Sequence, residues 1–226
     1  MKKDEKKADF YDDVYSKSKT YQGHYKQSLY YHLWAFVIQL LREREDPRIW
    51  DIGCGPGQLA HFLYDEGYRD YHGFDFSSTA ISQAQERVEL SFSVGDALAP
   101  KCYEHDYNSA VAIEVLEHVE KDIEIFGNLR DGTFFIFSVP MFDSAAHVRH
   151  FKTPWSVYSR YCPYMSGLRV VAMKKIFVCY GTVDKTPTRG FNRLLKTRSK
   201  IGLKTLPRIL WRSVRKRLAR CYILVD

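Results

Sequence analysis

The sequence has no long apolar run and no closely paired cysteines. No run of about 18 apolar residues occurs, which excludes a helix that spans a membrane. The first ten residues, MKKDEKKADF, are charged, so we expect no secretory signal there. The cysteines, which include no Cys-x-x-Cys pair, are Cys54, Cys102, Cys162, Cys179 and Cys221. This pattern disfavours a disulfide framework or a zinc cluster and predicts reduced thiols in the cytoplasm.

A glycine-rich turn in the stretch IWDIGCGPGQLAHFL, residues 49–63, lacks the usual features of a phosphate-binding turn. It has no Gly-Lys-Ser/Thr sequence, so no lysine is in place to meet a phosphate as in a P-loop. A dinucleotide fingerprint would need a glycine where this chain has Gln58. The turn instead spaces Gly53, Gly55 and Gly57 at every second position behind Asp51. Such a turn lets a ligand approach the backbone closely without requiring that the ligand carry a phosphate.

Strand and helix patterns alternate behind a tyrosine-rich helical segment. The buried-strand patterns are RIWDI (48–52), YHGFDF (71–76), LSFSV (90–94), NSAVAI (108–113) and GTFFIFSV (132–139), and residues 168–183 suit a closing antiparallel hairpin. Helices are predicted over 10–45, over 58–66, from Ser77 or Ser78 to Val88, and over 117–129. This order predicts an α/β fold with a doubly wound, mostly parallel, seven-stranded sheet and helices on both faces.

The domain organisation follows from the same patterns. Residues 1–46 form a predicted N-terminal helical lid rich in tyrosine, and residues 47–183 form the ligand-binding domain. Residues 184–226 form a basic amphipathic C-terminal extension. Residues 141–167 are long, aromatic and basic, and loops of this kind on a rigid scaffold shape an acceptor site.

The basic extension accounts for the net charge of +7. Residues 185–226 hold 13 of the 34 Lys and Arg residues but one of the 27 acids, and apolar residues recur at helical spacing from Leu203 to Leu218. Three interpretations of a basic helix over 201–226 stay open. It docks on the domain with a solvated basic face, attaches peripherally to the inner face of a membrane, or binds RNA phosphates.

Two acids end the strands that follow the glycine turn. Asp75 lies 22 residues after Gly53, where a carboxylate can accept both hydroxyls of a ribose. Asp96 ends the third strand and is placed to receive the exocyclic amine of a base. Because ligands of such sheets bind beyond the carboxyl ends of the strands, these acids and the glycine turn predict one nucleoside site.

The motifs DIGCGPG, GFDFS, GDAL and AIEVLEHV resemble the successive motifs of class I S-adenosylmethionine-dependent methyltransferases over residues 47–140. The resemblance implies a Rossmann-like fold and S-adenosylmethionine as cofactor. The residues it assigns to the cofactor are Asp51, Gly53, Gly55, Gly57, Asp75, Phe76, Asp96, Ala97 and Glu114, to which we add Tyr11 and Tyr21 of the lid. A nicotinamide dehydrogenase is the alternative for the same strand, turn and ribose acid, although the glycine spacing disfavours it.

The segment IEVLEHVEKD adds candidate metal ligands. If a helix begins here, Glu114, Glu117 and His118 share one face and suit a divalent cation such as Mg²⁺. Glu-x-x-Glu-His resembles a motif of ubiquinone-biosynthesis O-methyltransferases and, with histidines after the fifth strand, the metal set of small-RNA 3′-terminal 2′-O-methyltransferases. This implies His150, rather than His147, as the fourth ligand. Without a metal, His118, His147 or His150 is the candidate general base.

Together these features predict O-methylation of a small-molecule or glycan hydroxyl by in-line methyl transfer. A metal-assisted RNA ribose 2′-O-methyltransferase is the first alternative, favoured if the metal and the basic extension act together. A cofactor-binding scaffold without catalysis is the second.

Overall fold

The computed structural model of the protein describes residues 4–186, so the predicted basic helix over 201–226 lies outside the described residues. In chain order the elements are α1 (Ala8–Lys17), α2 (Lys19–Gln22), α3 (Tyr31–Arg42), β1 (Ile49–Ile52), α4 (Gln58–Asp65), β2 (Tyr71–Asp75), α5 (Ser78–Arg87), β3 (Ser91–Val94), β4 (Ser109–Ala112), α6 (Asp122–Asn128), β5 (Phe134–Pro140), α7 (Pro154–Tyr161), β6 (Met165–Met173) and β7 (Ile176–Val183). No helix among residues 4–186 is long and apolar enough to cross a membrane.

The seven strands form one sheet in the order β3-β2-β1-β4-β5-β7-β6. Strands β1 to β5 are parallel, and β7 lies antiparallel to both β5 and β6. The predicted seven-stranded, mostly parallel sheet and its closing hairpin are therefore confirmed. The strand order reverses between β1 and β4, and the carboxyl ends of these two strands are where such sheets bind ligands.

Alternate residues of the central strands enter apolar clusters on opposite faces of the sheet. In β5, Phe135 and Phe137 face one cluster and Ile136 faces the other, and all three side chains are fully buried. Burial on both faces explains why these strands read as continuous apolar runs. The two clusters hold the sheet rigid beneath the carboxyl ends of the strands.

The N-terminal segment is broken into three helices rather than one. The chain turns at Gly23 and at the 3-10 turn Tyr25–Gln27 before α3 begins. Helix α3 buries Leu33, Val37 and Leu41 in the core cluster that also holds Ile136. Only α1 and α2 therefore lie over the sheet edge as a lid, whereas α3 is part of the core on one face of the sheet.

The helix expected from residue 117 begins later, and this expectation is wrong. Residues 115–121 form turns, and α6 starts at Asp122. Glu114 has a φ of +59°, in the left-handed region, so a helix cannot begin there. Glu114, Glu117 and His118 therefore do not share one face of a helix. They lie on the turn that precedes α6.

The glycine turn packs closely against α5. Gly57 has a φ of +75°, and a β-carbon at this position would lie 2.9 Å from the Ala84 β-carbon. The glycine therefore permits both the left-handed backbone and the close approach of α4 to α5.

Replacing Gly57 by alanine is expected to lower the free energy of unfolding by about 1–3 kcal/mol, because the new methyl group meets Ala84 in a strained backbone conformation. Urea unfolding monitored by circular dichroism measures the change. Gly127→Ala in α6 is the matched control, since no atom lies within 4 Å of its β-carbon position. Equal stability of both variants and the parent chain would contradict this account of the turn.

Candidate active site

A cleft of about 610 Å³ lies beyond the carboxyl ends of the first strands. The predicted cofactor residues that line it are Tyr11, Gly53, Asp75, Phe76, Asp96, Ala97 and Glu114, and His118 lines it as well. Seven of the residues predicted from four separate motifs and the lid thus meet at one cleft. We call this the cofactor cleft.

Asp75 is fixed at the end of β2 by two backbone amides. Its side chain is buried, Oδ2 accepts from the Gly55 amide at 3.0 Å, and Oδ1 accepts from the Ser77 amide at 2.9 Å. Burial raises the pKa of Asp75 to about 6, although these hydrogen bonds act to lower it. Each carboxylate oxygen keeps a further lone pair, so Asp75 can still accept hydrogen bonds from the hydroxyls of a ribose.

An aromatic pair stands beside Asp75. Phe76 is 38% exposed, and its ring centroid lies 5.2 Å from that of Tyr11. Asp96 Oδ1 accepts from the Leu98 amide at 2.8 Å, which orients the carboxyl group at the end of β3. The Phe76 ring and the Asp96 carboxyl group thus offer a flat apolar surface and an acceptor, which together suit a nucleobase.

Four predicted cofactor residues have other positions. Gly57 packs against Ala84, as described above, and lines neither the cofactor cleft nor the chamber described below. Asp51, Gly55 and Tyr21 line the adjoining chamber instead of the cleft. Tyr71 donates to Asp51 Oδ2 at 2.7 Å, and burial raises the pKa of Asp51 to about 7.

The lid is attached to the glycine turn through main-chain carbonyls. Arg87 of α5 donates to the carbonyl oxygens of Tyr21 at 2.8 Å, Gly23 at 2.9 Å and Pro56 at 2.7 Å. Gln58 donates to the Gly23 carbonyl at 2.7 Å. The role of Arg87 could not be predicted, because no feature of the sequence separates it from other helix-surface arginines.

A second attachment joins α1 to the start of α5. The Asp12 carboxylate accepts from the Ser77 hydroxyl and from the Thr79 amide, the latter at 3.3 Å. Ser77 Oγ in turn accepts from the Ala80 amide, which confirms its predicted position as a helix cap. The lid helix α1 is thereby held across the cofactor cleft.

A chamber of about 1240 Å³ adjoins the cleft. Tyr11, Tyr15, Gly53, Glu114 and His118 line both spaces, so the two are continuous. The lid, α3, the glycine turn with the start of α4, the end of β4 and the loop after β5 supply the remaining walls. We call this the acceptor chamber.

Glu117, His118 and His147 form a compact cluster at this junction. One ligand atom from each lies within 4.8 Å of those from the other two, and His118 Nε2 lies 3.8 Å from Glu117 Oε1. Glu117 is fully buried, and neither carboxylate oxygen has a hydrogen-bond partner among the described residues. A buried carboxylate without hydrogen-bond partners lowers the stability of the fold unless a ligand or a cation binds to it.

The two histidines of the cluster are oriented through their Nδ1 atoms. Nδ1 of His118 lies 3.0 Å from the Ala146 carbonyl oxygen, and Nδ1 of His147 lies 3.3 Å from that of Phe142. A carbonyl accepts, so Nδ1 carries the proton and Nε2 the lone pair in each neutral ring. Burial lowers the pKa of His118 to about 4, and burial together with Glu114 raises the pKa of Glu117.

The predicted metal ligands are therefore brought together only in part. Glu114 exchanges hydrogen bonds with Ser138, each at 2.7 Å, through its amide and its carboxylate. His150 lies outside the cluster, and its Nδ1 is 3.8 Å from Asp143 Oδ1. The loop after β5 brings His147 close to Glu117 and His118. The sequence favoured His150 over His147 as the fourth ligand.

Arg149 holds the turn that carries Glu117 and His118. Its guanidinium donates to the carbonyl oxygens of Leu116, Val119 and Glu120 and lies 3.3 Å from the Asp122 carboxylate. The Val148 amide donates to the Glu117 carbonyl at 2.8 Å. The segment 146–149 thus fixes the turn and delivers His147 to it.

Comparison with known proteins agrees with this geometry. Residues 49–131 match the family model of a methyltransferase domain. This match agrees with the resemblance of the motifs to class I S-adenosylmethionine-dependent methyltransferases, and the chain has the Rossmann-like fold that such enzymes share. A sequence comparison with curated proteins finds no significant match.

Solved structures with the same fold include several methyltransferases. Magnesium protoporphyrin IX methyltransferase (ChlM) from Synechocystis PCC 6803 with bound S-adenosylmethionine has a TM-score of 0.55 and 13% identity over 77% of this chain and 96% of its own. The methyltransferase domain of bacterial CtHen1 has a TM-score of 0.53 and 18% identity over 67% of this chain and 97% of its own. At these identities the likeness shows the fold.

Proposed function

We propose that the protein methylates a hydroxyl group of a small molecule or a glycan, with S-adenosylmethionine as the methyl donor. The observation that carries the proposal is the cluster of Glu117, His118 and His147 at the junction of the cofactor cleft and the acceptor chamber. A hydroxyl must lose its proton as the methyl group is transferred, so an oxygen acceptor needs a base or a metal at this place.

The rigid walls of the cleft and the chamber supply alignment. In-line displacement at a methyl carbon needs the acceptor oxygen, the methyl group and the sulfur in one line. Positioning of this kind is worth about 7–11 kcal/mol of the barrier at best. The sheet below and the attached lid above would limit movement of the two substrates. Tyr11 and Tyr15 line the cofactor cleft, and aromatic faces of this kind attract a sulfonium cation.

The cluster fits a divalent cation. Glu117 would supply a carboxylate oxygen, and His118 and His147 would each supply Nε2, since their Nδ1 atoms face carbonyl oxygens. The carboxylate oxygens of Glu117 that lack partners support this assignment. A bound divalent cation would lower the pKa of a coordinated hydroxyl and so favour its ionised form.

The alternative at the same cluster is direct proton transfer. The neutral His118 ring would accept the acceptor's proton at Nε2, and the Ala146 carbonyl would stabilise the ring orientation. The two roles exclude each other, because a nitrogen that ligates a cation has no lone pair for a proton.

Methyl transfer from radiolabelled S-adenosylmethionine to a panel of hydroxylated small molecules and sugars tests the proposal. We expect labelled ether products, and loss of activity after EDTA that Mg²⁺ or Mn²⁺ restores. Full activity in EDTA would exclude a role for a metal in the reaction and leave His118 as the candidate general base. Label found only on nitrogen or carbon, or on no member of the panel, would contradict hydroxyl methylation.

RNA ribose methylation is the second candidate. The imidazole and carboxylate composition of the cluster favours it, since the metal set of small-RNA 2′-O-methyltransferases combines the same ligand types. A role of the basic residues 201–226 in RNA or membrane binding also stays a proposal, as does a cytoplasmic location.

A further inference from the structure

Seven of the residues that line the acceptor chamber are phenylalanine, tyrosine or tryptophan. Ring contacts join Tyr11 to Tyr15, with centroids 6.3 Å apart, and Tyr15 to Tyr21, with centroids 5.1 Å apart. On the side of α3, the Tyr30 and Trp34 centroids are 5.9 Å apart. These rings provide broad flat surfaces on which another ring can stack.

The loop after β5 completes the aromatic lining. Phe142 lines the chamber, is 39% exposed, and its ring centroid lies 5.3 Å from that of His147. An acceptor ring that enters the chamber therefore meets aromatic side chains of the lid, of α3 and of this loop before its hydroxyl reaches His118 and His147.

The part of this lining that the structure describes carries no lysine or arginine side chain. Among residues 4–186, no lysine or arginine lines the chamber, whereas Asp51 and Glu114 do. Two arginines near its walls are used elsewhere, since Arg87 binds carbonyls of the lid and Arg149 binds carbonyls of the turn. Tight phosphate binding usually requires charge-assisted hydrogen bonds from such side chains, so a phosphate here would lose its hydration without replacement.

We propose that the acceptor is an uncharged ring compound bearing a hydroxyl group, and that the chamber rejects phosphorylated acceptors. This inference rests on the proposed function, because it assumes that the chamber holds the methyl acceptor. It favours a neutral small molecule over RNA, whose binding depends on cations that meet its phosphates.

A matched pair of probes tests this selection. The full chain, saturated with S-adenosylhomocysteine so that the cofactor cleft is filled, is titrated with 1-naphthol and with 1-naphthyl phosphate while binding is followed by equilibrium dialysis. We expect 1-naphthol to bind at least about tenfold more tightly. Equal affinity, a preference for the phosphate ester, or no binding of 1-naphthol would overturn the proposal.

A positive charge introduced into the chamber should change its preference between neutral and phosphorylated ligands. Phe142→Arg places a cation in the lining, and we expect it to increase the affinity for 1-naphthyl phosphate by about tenfold. Trp155→Arg is the matched control, because Trp155 is 59% exposed and does not line the chamber. An equal gain in both variants would show that the phosphate binds outside the chamber and would overturn the assignment of the site.

The binding measurement separates this inference from the proposed function. If neutral rings bind selectively but no ether product forms in the methylation assay, the preference of the chamber for neutral rings is supported and the proposed hydroxyl methylation is contradicted. If ether products form on phosphorylated acceptors as readily as on neutral ones, the proposed hydroxyl methylation is supported and the preference for neutral rings is contradicted.

Discussion

Replacing Asp75 by asparagine is expected to weaken the binding of S-adenosylmethionine by about 10–100-fold. The carboxylate loses its charge, and charge-assisted hydrogen bonds of the kind expected with the ribose hydroxyls are each worth about 1.5–3 kcal/mol. An asparagine also replaces one of the two oxygens that accept from Gly55 and Ser77 with an amide nitrogen. Isothermal titration calorimetry at pH 7.5 measures the change.

Asp70→Asn is the matched control for this variant. Asp70 is exposed and lies at the opposite end of β2 from the cleft, so its replacement should leave the affinity unchanged. Unfolding curves of both variants exclude a general loss of structure. An affinity of Asp75→Asn equal to that of the parent chain would count against the assignment of this cleft to the cofactor.

The same carboxylate predicts a dependence on pH. Burial raises the pKa of Asp75 to about 6 in the free protein. Because the ribose hydroxyls bind the ionised form, binding lowers this pKa, and the affinity should be full above pH 6 and fall as the pH drops below it. The affinity of Asp75→Asn should lack this component, and calorimetry at pH 5.0 and 7.5 compares the two chains.

Replacing Glu117 by glutamine is expected to reduce methyl transfer by at least about 100-fold while leaving cofactor affinity nearly unchanged. The substitution keeps the size of the side chain but removes the carboxyl group, which can ionise and ligate a cation, and Glu117 lines no part of the cofactor cleft. If the cluster holds a divalent cation, its affinity for Mn²⁺ should fall in parallel. Turnover assays and Mn²⁺ titrations measure the two effects.

Glu124→Gln provides the comparison, because Glu124 is an exposed residue of α6 that pairs with Lys121 at 3.2 Å. It should retain full activity. Normal turnover in Glu117→Gln would exclude Glu117 both as a metal ligand and as part of the catalytic cluster.

Much of the fold could be predicted because its signals are local. The apolar run before the glycine turn, the position of Asp75 at the next strand end and the serine cap of α5 each depend on a few neighbouring residues. The hairpin of β6 and β7 was predicted for the same reason. These local features together predict the position of the cofactor cleft.

The turn around Glu117 could not be predicted because distant residues determine it. The spacing of Glu114, Glu117 and His118 suits a helix, yet Ser138 binds Glu114, and Val148 and Arg149 bind the turn carbonyls. These bonds span between 24 and 33 residues of sequence, so no local pattern contains them. The position of His147 depends on the same contacts, and for this reason the choice between His147 and His150 needed the structure.

The hydrogen bonds of Arg87 and Gln58 have a consequence for how acceptor preference changes between related chains. Both side chains hold residues 20–23 through carbonyl oxygens, which every amino acid possesses. Substitution at Tyr21 or its neighbours would therefore alter the wall of the chamber without releasing the segment from the domain. The shape of the acceptor chamber can therefore change at these positions during evolution, while the hydrogen bonds of Arg87 and Gln58 still hold the lid over the cofactor cleft.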